Sequence, residues 1–421
     1  MKDNHKGRKQ SYLSYRRFQL CLVVSMSGVF LGMCVLAVFG ASSPGLALRA
    51  HAAEVDVSMD GSSRRTVVTR GTPPRKQQDD AAATTDTLGI EEKNHASNNM
   101  EEELPQEAEE NPSFLTNRLP TFKYGTAWKK ERTKGLVKQA VLEGFRHIDT
   151  ACQPKHYNEK GVGEGWTEAA AELGLSRDQI WLQTKFTSVS GQDRSQPLPY
   201  DANAPLEEQV QQSLERSLEN LQTDYLDSWI MHGPEDNWDD TLRVWRVMES
   251  YVDQGVVKQI GISNLYAPDA LEYLYQEARI PPAVVQNRFY PDTGHDVDIR
   301  AFCLDHNIEY QSFWTLGANR HVWQDSQDFR TMAKEKNLTP ETLFYAVCFQ
   351  MGITVLDGTT NTEHMRQDIA LLNRFRNSIL SDEPILTDEE MHFVVTDLLA
   401  LSEPEVEEDS EDSQDWQNQE Y

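Results

Sequence analysis

The amino-acid sequence predicts an α/β protein whose core is a (β/α)8 TIM barrel, and two observations support this prediction. Short apolar runs rich in Ile, Val, Phe, Trp and Tyr alternate with amphipathic helical segments from Pro120 onward, which is typical of βα units in a parallel sheet. Eight such pairs fit within residues 112–401, a length that suits a TIM barrel. The alternative, a doubly wound sheet, normally has fewer strands and a glycine-rich phosphate loop after the first one.

The elements can be placed in chain order from the periodicity of their apolar residues. The predicted strands cover residues 121–124, 146–149, 180–184, 225–231, 259–262, 284–287, 309–313 and 354–356. The predicted helices cover residues 133–143, 163–173, 205–221, 240–253, 268–276, 296–305, 340–351 and 361–372. Thr339 and Pro340 suit the cap and first position of the seventh helix, which we favour over the glycosylation sequon beginning at Asn337.

The glycine-rich run at residues 161–165 resembles a dinucleotide-binding fingerprint at first sight. Its spacing is wrong for that motif, and it precedes the second helix rather than the first. We therefore do not predict a phosphate cradle there. The chain also has no P-loop, no paired-cysteine zinc pattern and no His-Glu-x-x-His helix, so its chemistry must come from dispersed side chains.

The N-terminal segment differs from the core in composition. Residues 1–17 contain several Lys and Arg residues, and residues 18–40 form an uncharged apolar stretch that is long enough to cross a bilayer. The sequence thus predicts a basic cytosolic N-terminus, a transmembrane signal-anchor over 18–40 and a barrel on the non-cytosolic side of the membrane. A cleaved secretory signal and an organelle-targeting presequence are the alternatives.

Residues 41–111 and 402–421 are rich in acidic and small polar residues, and we expect them to form a disordered linker and a disordered tail. Much of the formal net charge of -27 comes from these two segments. Such an acidic chain is not expected to bind nucleic acid, which requires clustered cations. The three core cysteines are too few and too scattered for a disulfide framework, and the core is expected to be monomeric.

Polar side chains follow five consecutive predicted strands. They are Asp149, Lys185, His232, the pair at residues 263–264 and the pair at residues 286–287. Each has an ordinary explanation when taken alone, as a helix cap, a solvated side chain or a satisfied rim histidine. Their succession favours an active site, because TIM barrels build their sites at the C-terminal ends of the strands.

The motifs that contain these residues resemble those of the aldo-keto reductase family. The matching segments, in order along the core, are residues 144–151, 157–159 with 162–163, 182–185, 224–227 with His232, 261–264 and 285–287. The resemblance implies NAD(P)H-dependent reduction of small-molecule aldehydes or ketones to alcohols by hydride transfer. It maps the catalytic positions of the family onto Asp149, Tyr157, Lys185 and His232, with Tyr157 as the general acid.

The chemistry of these residue types agrees with the roles that the resemblance implies. A phenol has a reference pKa near 10, so an ammonium such as Lys185 would help by favouring the phenolate left after proton donation. Asp149 would hold Lys185 charged, and His232 would donate a hydrogen bond to the substrate carbonyl. The loop before Tyr157 is longer than is usual in the family, which resembles one branch of it, and a packing role for Tyr157 is the alternative.

The resemblance also implies where the nicotinamide end of a cofactor would lie. Ser263, Asn264 and Gln286 would hydrogen-bond the carboxamide, and Phe313 would stack on the ring. The family more often has tyrosine at that position, so phenylalanine keeps the aromatic face and loses the hydroxyl. Trp314 and Leu316 would lie along the pyrophosphate.

The adenosine end is expected near the eighth strand, where many relatives place a lysine and an arginine against the 2′-phosphate. Both cations are absent at those positions of this sequence. The resemblance leaves Thr359, Thr360 and Asn361, the N-terminus of the following helix and His364 to meet the phosphate, and Asp368 to contact the adenine. NADPH is expected on family grounds, and NADH is the alternative.

A non-catalytic barrel that binds the cofactor, and serves as a regulatory or redox-sensing partner of a membrane protein, is the alternative function. The complete set of catalytic residues favours the enzyme. A hydrolase or isomerase on the same barrel would need paired carboxylates or metal ligands that the strand ends lack. Trp128, Trp238 and Trp323 are candidates for an aromatic wall around the substrate, or for packing residues.

Overall fold

A computed structural model describes residues 119–401 of the chain. Eight strands form a closed barrel in which every neighbouring pair is parallel and β8 returns to pair with β1. The predicted (β/α)8 barrel is therefore confirmed. The N-terminal segment 1–17, the anchor 18–40, the linker 41–111 and the tail 402–421 lie outside the described residues and stay predictions. Within residues 119–401, no helix has the length and apolar character needed to cross a membrane.

The strands lie where the apolar runs predict them, with small differences at their ends. They are β1 Phe122–Gly125, β2 His147–Asp149, β3 Trp181–Phe186, β4 Ser228–Met231, β5 Ile260–Ser263, β6 Val284–Arg288, β7 Glu309–Phe313 and β8 Thr354–Asp357. β4 begins later than predicted, because Leu226 forms only an isolated bridge to Val257. Because all eight strands are parallel, the strand ends that carry the candidate residues lie at one mouth of the barrel.

Nine helices of nine or more residues cover the outside of the barrel in residues 119–401. They are α1 Thr133–Glu143, α2 Glu159–Leu173, α3 Leu206–Leu221, α4 Trp238–Asp253, α5 Pro268–Glu277, α6 Val297–Asp305, α7 Gln327–Glu335, α8 Pro340–Gln350 and α9 Thr362–Ser381. The sequence did not predict α7, and α9 extends beyond its predicted end. Thr339 caps α8 by accepting a hydrogen bond from the backbone N–H of Thr342, which confirms the capping interpretation.

A layer of buried amide side chains crosses the interior of the barrel. Gln311 accepts hydrogen bonds from Gln183 at 2.7 Å and from Gln286 at 3.0 Å. The same two amides also donate to one carboxylate oxygen of Asp149, at 2.8 and 3.0 Å. Branched apolar residues usually fill the interior of TIM barrels. Here a polar layer supports the carboxylate at the end of β2.

Glycines in α2 allow the first three helices to pack closely. A Cβ atom on Gly163 would lie 2.1 Å from the backbone oxygen of Asn220 in α3, and one on Gly165 would lie 2.6 Å from the backbone oxygen of Lys134 in α1. Backbone atoms cannot move aside as a flexible side chain can. The glycine-rich run at residues 161–165 therefore serves helix packing, and it is not a loop that could cradle a phosphate.

This packing predicts opposite effects for two glycine-to-alanine substitutions. Gly163→Ala should lower the free energy of unfolding by about 2 kcal/mol or more, because overpacking forces α2 away from α3. Gly135→Ala is the matched control, since the added methyl group in α1 meets no atom within 4 Å and should leave stability unchanged or raise it by up to about 1 kcal/mol. Urea unfolding followed by circular dichroism measures both. Equal stability of the two variants would contradict the packing role of Gly163.

Candidate active site

A buried ion pair joins the ends of β2 and β3. The ammonium of Lys185 donates to both carboxylate oxygens of Asp149, at 2.7 and 2.6 Å, and to the backbone oxygen of Thr150 at 2.8 Å. Both side chains are 1% exposed. Burial lowers the pKa of Lys185, while the charge of Asp149 and its hydrogen bond act in the opposite direction. The three acceptors fix the ammonium in one position.

Tyr157 lies beside this ion pair. Its ring centre is 5.6 Å from the Lys185 nitrogen, and it meets the His232 ring edge-on with the two ring centres 6.0 Å apart. The structure therefore brings together the four residues that the resemblance assigned to catalysis. Burial, and then the negative charge of Asp149, raise the pKa of the Tyr157 phenol above its ordinary value. The phenol is therefore protonated in the resting structure.

The lengthened loop is folded into a compact turn that ends at Tyr157. The backbone N–H groups of His156 and Tyr157 both donate to the carbonyl of Gln153, each at 3.0 Å. The next residue, Asn158, caps α2 by accepting from the N–H of Gly161 at 2.9 Å. This cap starts the helix earlier than the sequence predicted. Tyr157 is thus held between a hydrogen-bonded turn and a capped helix.

A buried carboxyl group directly after the cap ties α2 to the barrel, and the sequence did not predict it. Glu159 accepts hydrogen bonds from Thr184 in β3 at 2.5 Å and from Ser217 in α3 at 2.9 Å. Burial raises the pKa of Glu159. Because Thr184 precedes Lys185 in the same strand, these bonds hold Tyr157 and Lys185 in one framework.

His232 follows β4, and a hydroxyl group orients its ring. The Thr187 hydroxyl is 2.7 Å from Nδ1 of His232. Thr187 is itself held by its backbone oxygen, which accepts from Tyr200 at 2.6 Å and from Gln192 at 3.2 Å. Burial, followed by the charges of Lys185 and His156, lowers the pKa of His232 to about 3. The imidazole is therefore neutral at neutral pH.

The residues expected at the nicotinamide end line β5, β6 and β7. Ser263 donates to the backbone oxygen of Gln286 at 2.7 Å, and Asn264 donates to the backbone oxygen of His232 at 2.8 Å. The two N–H groups of the Gln286 side chain are used by Asp149 and Gln311. No donor within residues 119–401 forms a hydrogen bond to its side-chain oxygen.

The next stretch of chain continues from β7 along the same side of the mouth. Phe313 ends β7 and is only partly buried. Trp314 is 59% exposed and has left-handed backbone geometry. Leu316 lies in a short helix, Thr315–Ala318, and its backbone oxygen accepts from the Trp323 indole at 2.9 Å.

The residues expected at the adenosine end differ in what they can still bind. Thr360 and His364 are exposed. The side chain of Asn361 caps α9 by accepting from the N–H groups of Glu363 and His364. The N–H of Thr359 donates to Asp357 at 2.9 Å.

Asp368, expected against the adenine, is 4% exposed and lies beside Asp357, which is 2% exposed. Burial raises the pKa of Asp368 to about 10, with the neighbouring Asp357 as the second cause. Burial also raises the pKa of Asp357. The two carboxyl groups therefore hold a proton at the end of β8.

The three candidate tryptophans of the substrate wall lie in different surroundings. Trp128 is 61% exposed, and its ring centre is 3.9 Å from that of His156 in the loop before Tyr157. Trp238 packs edge-on against Tyr273 between α4 and α5. Trp323 supports the short helix that contains Leu316.

Sequence reasoning missed Thr187 and the amide layer formed with Gln311. The amides did carry a signal, because alternate residues of a strand share a face. Gln183 lies two residues before Lys185, and Gln311 lies two residues before Phe313. Both amides could therefore be placed on the same face of their strands as the candidate site residues. Thr187 carried no comparable signal, because it lies beyond the end of β3.

Comparison with known proteins gives a consistent result. The sequence profile described as "Aldo/keto reductase family" matches residues 119–379. A methylglyoxal reductase of Yersinia pestis is 28% identical over 243 residues, which cover 58% of this chain and 79% of that protein. A D-galacturonate reductase of Fragaria ananassa is 28% identical over 264 residues, which cover 58% of this chain and 77% of that protein.

Solved structures agree at the level of the fold. The aldose reductase from Schistosoma japonicum matches with a TM-score of 0.53 and 22% identity, over 66% of this chain and 89% of that one. An aldo/keto reductase from Brucella melitensis matches with a TM-score of 0.51 and 23% identity, over 63% of this chain and 97% of that one.

The lowered pKa of His232 predicts a pH-dependent contribution to stability. The folded protein keeps this imidazole neutral down to a pKa of about 3, whereas the unfolded chain takes up a proton below about pH 6.5. The unfolded state thus binds more protons between these values, so the free energy of unfolding falls as the pH is lowered through this window. Between about pH 7 and pH 5 we expect a loss of about 1 to 2 kcal/mol from this residue.

Urea unfolding of the parent and of His232→Gln at both pH values isolates this contribution. The variant should lose less stability on acidification by that amount, since it lacks the imidazole. An equal loss in both proteins would show that His232 is not held neutral.

Proposed function

Because the chain belongs to the aldo/keto reductase family, we propose that it reduces aldehydes or ketones to alcohols with a nicotinamide cofactor, using Tyr157 as the general acid. The observation that carries the proposal is the cluster at the barrel mouth. There the Lys185 ammonium, bound by Asp149, lies 5.6 Å from the Tyr157 ring. The named relatives are reductases of methylglyoxal and of D-galacturonate, which are carbonyl compounds.

The residues on β5 to β7 fit a nicotinamide. Phe313 offers a flat aromatic face, Gln286 keeps a free side-chain oxygen, and Asn264 adds an amide beside Ser263. When bound, the reduced cofactor supplies a hydride to the carbonyl carbon. The acid cluster on β2 to β4 would face that carbonyl from the other side of the mouth.

Tyr157 holds the proton that the reaction needs. Its raised pKa keeps the phenol protonated in the resting protein. As the carbonyl oxygen gains negative charge, the phenol O–H donates its proton to that oxygen and a phenolate is left. The fixed ammonium of Lys185 stabilises that phenolate, and in a water-poor site the attraction is much stronger than in bulk water.

His232 would orient the substrate carbonyl by donating a hydrogen bond. Its neutral imidazole carries one N–H, and the position of this proton depends on the partner of the other nitrogen. If the Thr187 hydroxyl donates to Nδ1, the proton lies on Nε2. The Thr187 contact of 2.7 Å therefore supports His232 as a donor to the carbonyl oxygen.

NADPH is the proposed cofactor on family grounds, and weak discrimination against NADH is part of the proposal. Gly358 and His364 occupy the stretch where relatives have cations, and the nearby Arg366 is already paired with Glu143 at 2.9 Å. Thr360, the first turn of α9 and His364 remain for a 2′-phosphate. These groups provide hydrogen bonds and little positive charge.

Substitution of the proposed acid tests the chemistry. Tyr157→Phe should lower kcat by about 10²- to 10⁴-fold, the usual contribution of a general acid, and leave cofactor binding unchanged. Tyr273→Phe is the matched control, because that phenol is exposed on α5. Loss of cofactor absorbance with a panel of aldehydes and ketones measures kcat. Protein fluorescence measures cofactor binding.

Retained turnover in Tyr157→Phe would reject Tyr157 as the acid. If the parent protein binds the cofactor and reduces no carbonyl compound in the panel, the result would favour the non-catalytic alternative. Either result leaves the assignment of the family intact.

A gain of charge at the adenosine end tests the proposed cofactor preference. The dissociation constants of the parent for NADPH and NADH should differ by less than about tenfold, a difference of about 1.4 kcal/mol. His364→Arg should tighten NADPH relative to NADH by about tenfold, because an arginine binds phosphate through charge-assisted hydrogen bonds. His306→Arg is the control, because His306 lies before the start of β7, at the end of the barrel opposite the mouth. Strong NADPH selectivity in the parent would contradict the proposal.

A further inference from the structure

One arginine at the barrel mouth has no part in the chemistry proposed above. Arg288 is the last residue of β6 and is paired in register with Phe313, the last residue of β7. Side chains two residues apart in a strand share a face, and Gln286 points into the barrel interior, where it bonds Asp149. Arg288 therefore lies one layer above Gln286, at the open end of the same interior face.

Aromatic rings surround the guanidinium of Arg288. Its central carbon is 4.4 Å from the ring centre of Trp314, 5.1 Å from that of Tyr290 and 6.0 Å from that of Phe313. Stacking on aromatic rings uses the flat face of a guanidinium, while its N–H donors point outward in its plane. Such packing fixes the group and leaves its donor edge available.

The charge of Arg288 is unmatched within residues 119–401. It forms no ion pair there, whereas other arginines of the described chain, such as Arg177 and Arg243, do. Its Nε atom is buried and has no hydrogen-bond partner among the described residues. A buried donor without an acceptor is unfavourable and rare in folded proteins, more so when the group is charged. The two terminal nitrogens of the guanidinium are not among the enclosed atoms, so an anionic ligand would bind there and offset the charge.

We propose that Arg288 binds the pyrophosphate of the nicotinamide cofactor, next to the ribose that carries the nicotinamide. The inference rests on the proposed function, which places the nicotinamide against Phe313. A cofactor in that position would run from Phe313 toward Trp314, and the guanidinium lies within 6.0 Å of both ring centres. The acid cluster is on β2 to β4, on the other side of the mouth, so the substrate is the more distant ligand.

The pyrophosphate is matched to this arginine by chemistry as well as by position. Planar guanidinium groups bind phosphate oxygens through two parallel hydrogen bonds. The exposed ring of Trp314 would be covered by the same ligand, which makes tryptophan fluorescence a direct readout of binding. A carboxylate on the substrate has the same chemistry as a phosphate oxygen, so the experiment must separate these two sources.

Three reduced ligands separate the contacts when they are titrated into the full-length chain. They are NADH, nicotinamide mononucleotide in its reduced form, and the corresponding riboside, which has no phosphate. Arg288→Met should weaken binding of the first two by about 10- to 100-fold and change binding of the riboside by less than about twofold. Arg288→Lys should recover part of the loss, because it restores the charge without the two parallel hydrogen bonds.

Arg216→Met provides the matched control for the loss of one positive charge. Arg216 lies on the outer surface of α3, is half exposed, and is paired with Glu219. This variant should bind all three ligands as the parent does. The thermal midpoints of the variants show whether each is folded. If Arg288→Met is not folded, Arg288→Lys still provides the test.

The remaining outcomes can be distinguished from one another, and all but the last overturn the inference. Unchanged NADH binding in Arg288→Met rejects it, and so does equal weakening of the riboside, which would indicate a structural role beside Phe313. Unchanged cofactor binding with a raised KM for 4-carboxybenzaldehyde, but not for benzaldehyde, would assign Arg288 to a substrate carboxylate instead. If the parent binds no nicotinamide ligand, the proposed function fails and this inference fails with it. Binding without turnover leaves this inference standing and counts against the proposed reaction alone.

Discussion

The ion pair between Lys185 and Asp149 is the interaction on which the rest of the mouth depends. Removing two charges from water is costly, and well-packed apolar residues often serve stability as well as a buried pair does. This barrel nevertheless commits Gln183, Gln286 and Gln311 to support the carboxylate. Such a layer is expected if the ammonium must be kept charged and in a fixed position. Loss of either partner of the pair would leave an unmatched charge in the interior.

Burial then sets the protonation of the groups around that pair. It raises the pKa of Tyr157 and lowers that of His232 to about 3, so both side chains are neutral donors in the resting protein. A neutral phenol and a neutral imidazole next to a neutralised ion pair create no large net charge at the mouth. In the proposed reaction, charge would develop there only as the carbonyl oxygen becomes negative. Preorganised donors stabilise a transition state more than the ground state under that condition.

Much of the fold could be predicted from the sequence, because the signals for it are local. Alternating apolar runs and helical periodicity predicted the eight strands and placed Asp149, Lys185 and His232 at three strand ends. The candidate role of Tyr157, which lies in a loop, came from the family resemblance. The errors arose where local signals end. The cap at Asn158 starts α2 ahead of its apolar pattern, and the glycines at 163 and 165 are explained only by the backbone of neighbouring helices.

The environment of the site was harder to predict than its members. The bond between Gln183 and Gln311 joins residues 128 positions apart, and it exists because the barrel closes, which no sequence window contains. Arg288 shows the same limit, since its lack of a partner is a property of the surrounding space.

Positive charge is distributed unevenly around the described mouth. The end of β6 has an unmatched cation, Arg288. The expected adenosine end has the carboxyl pair Asp357 and Asp368, which holds a proton, and it has no lysine or arginine at positions 358 and 364. If Arg288 holds the pyrophosphate, the main electrostatic attraction for the cofactor is common to NADH and NADPH. Weak discrimination between NADH and NADPH would then follow from the position of Arg288 at the pyrophosphate, which both cofactors contain, and neither cofactor would lose affinity.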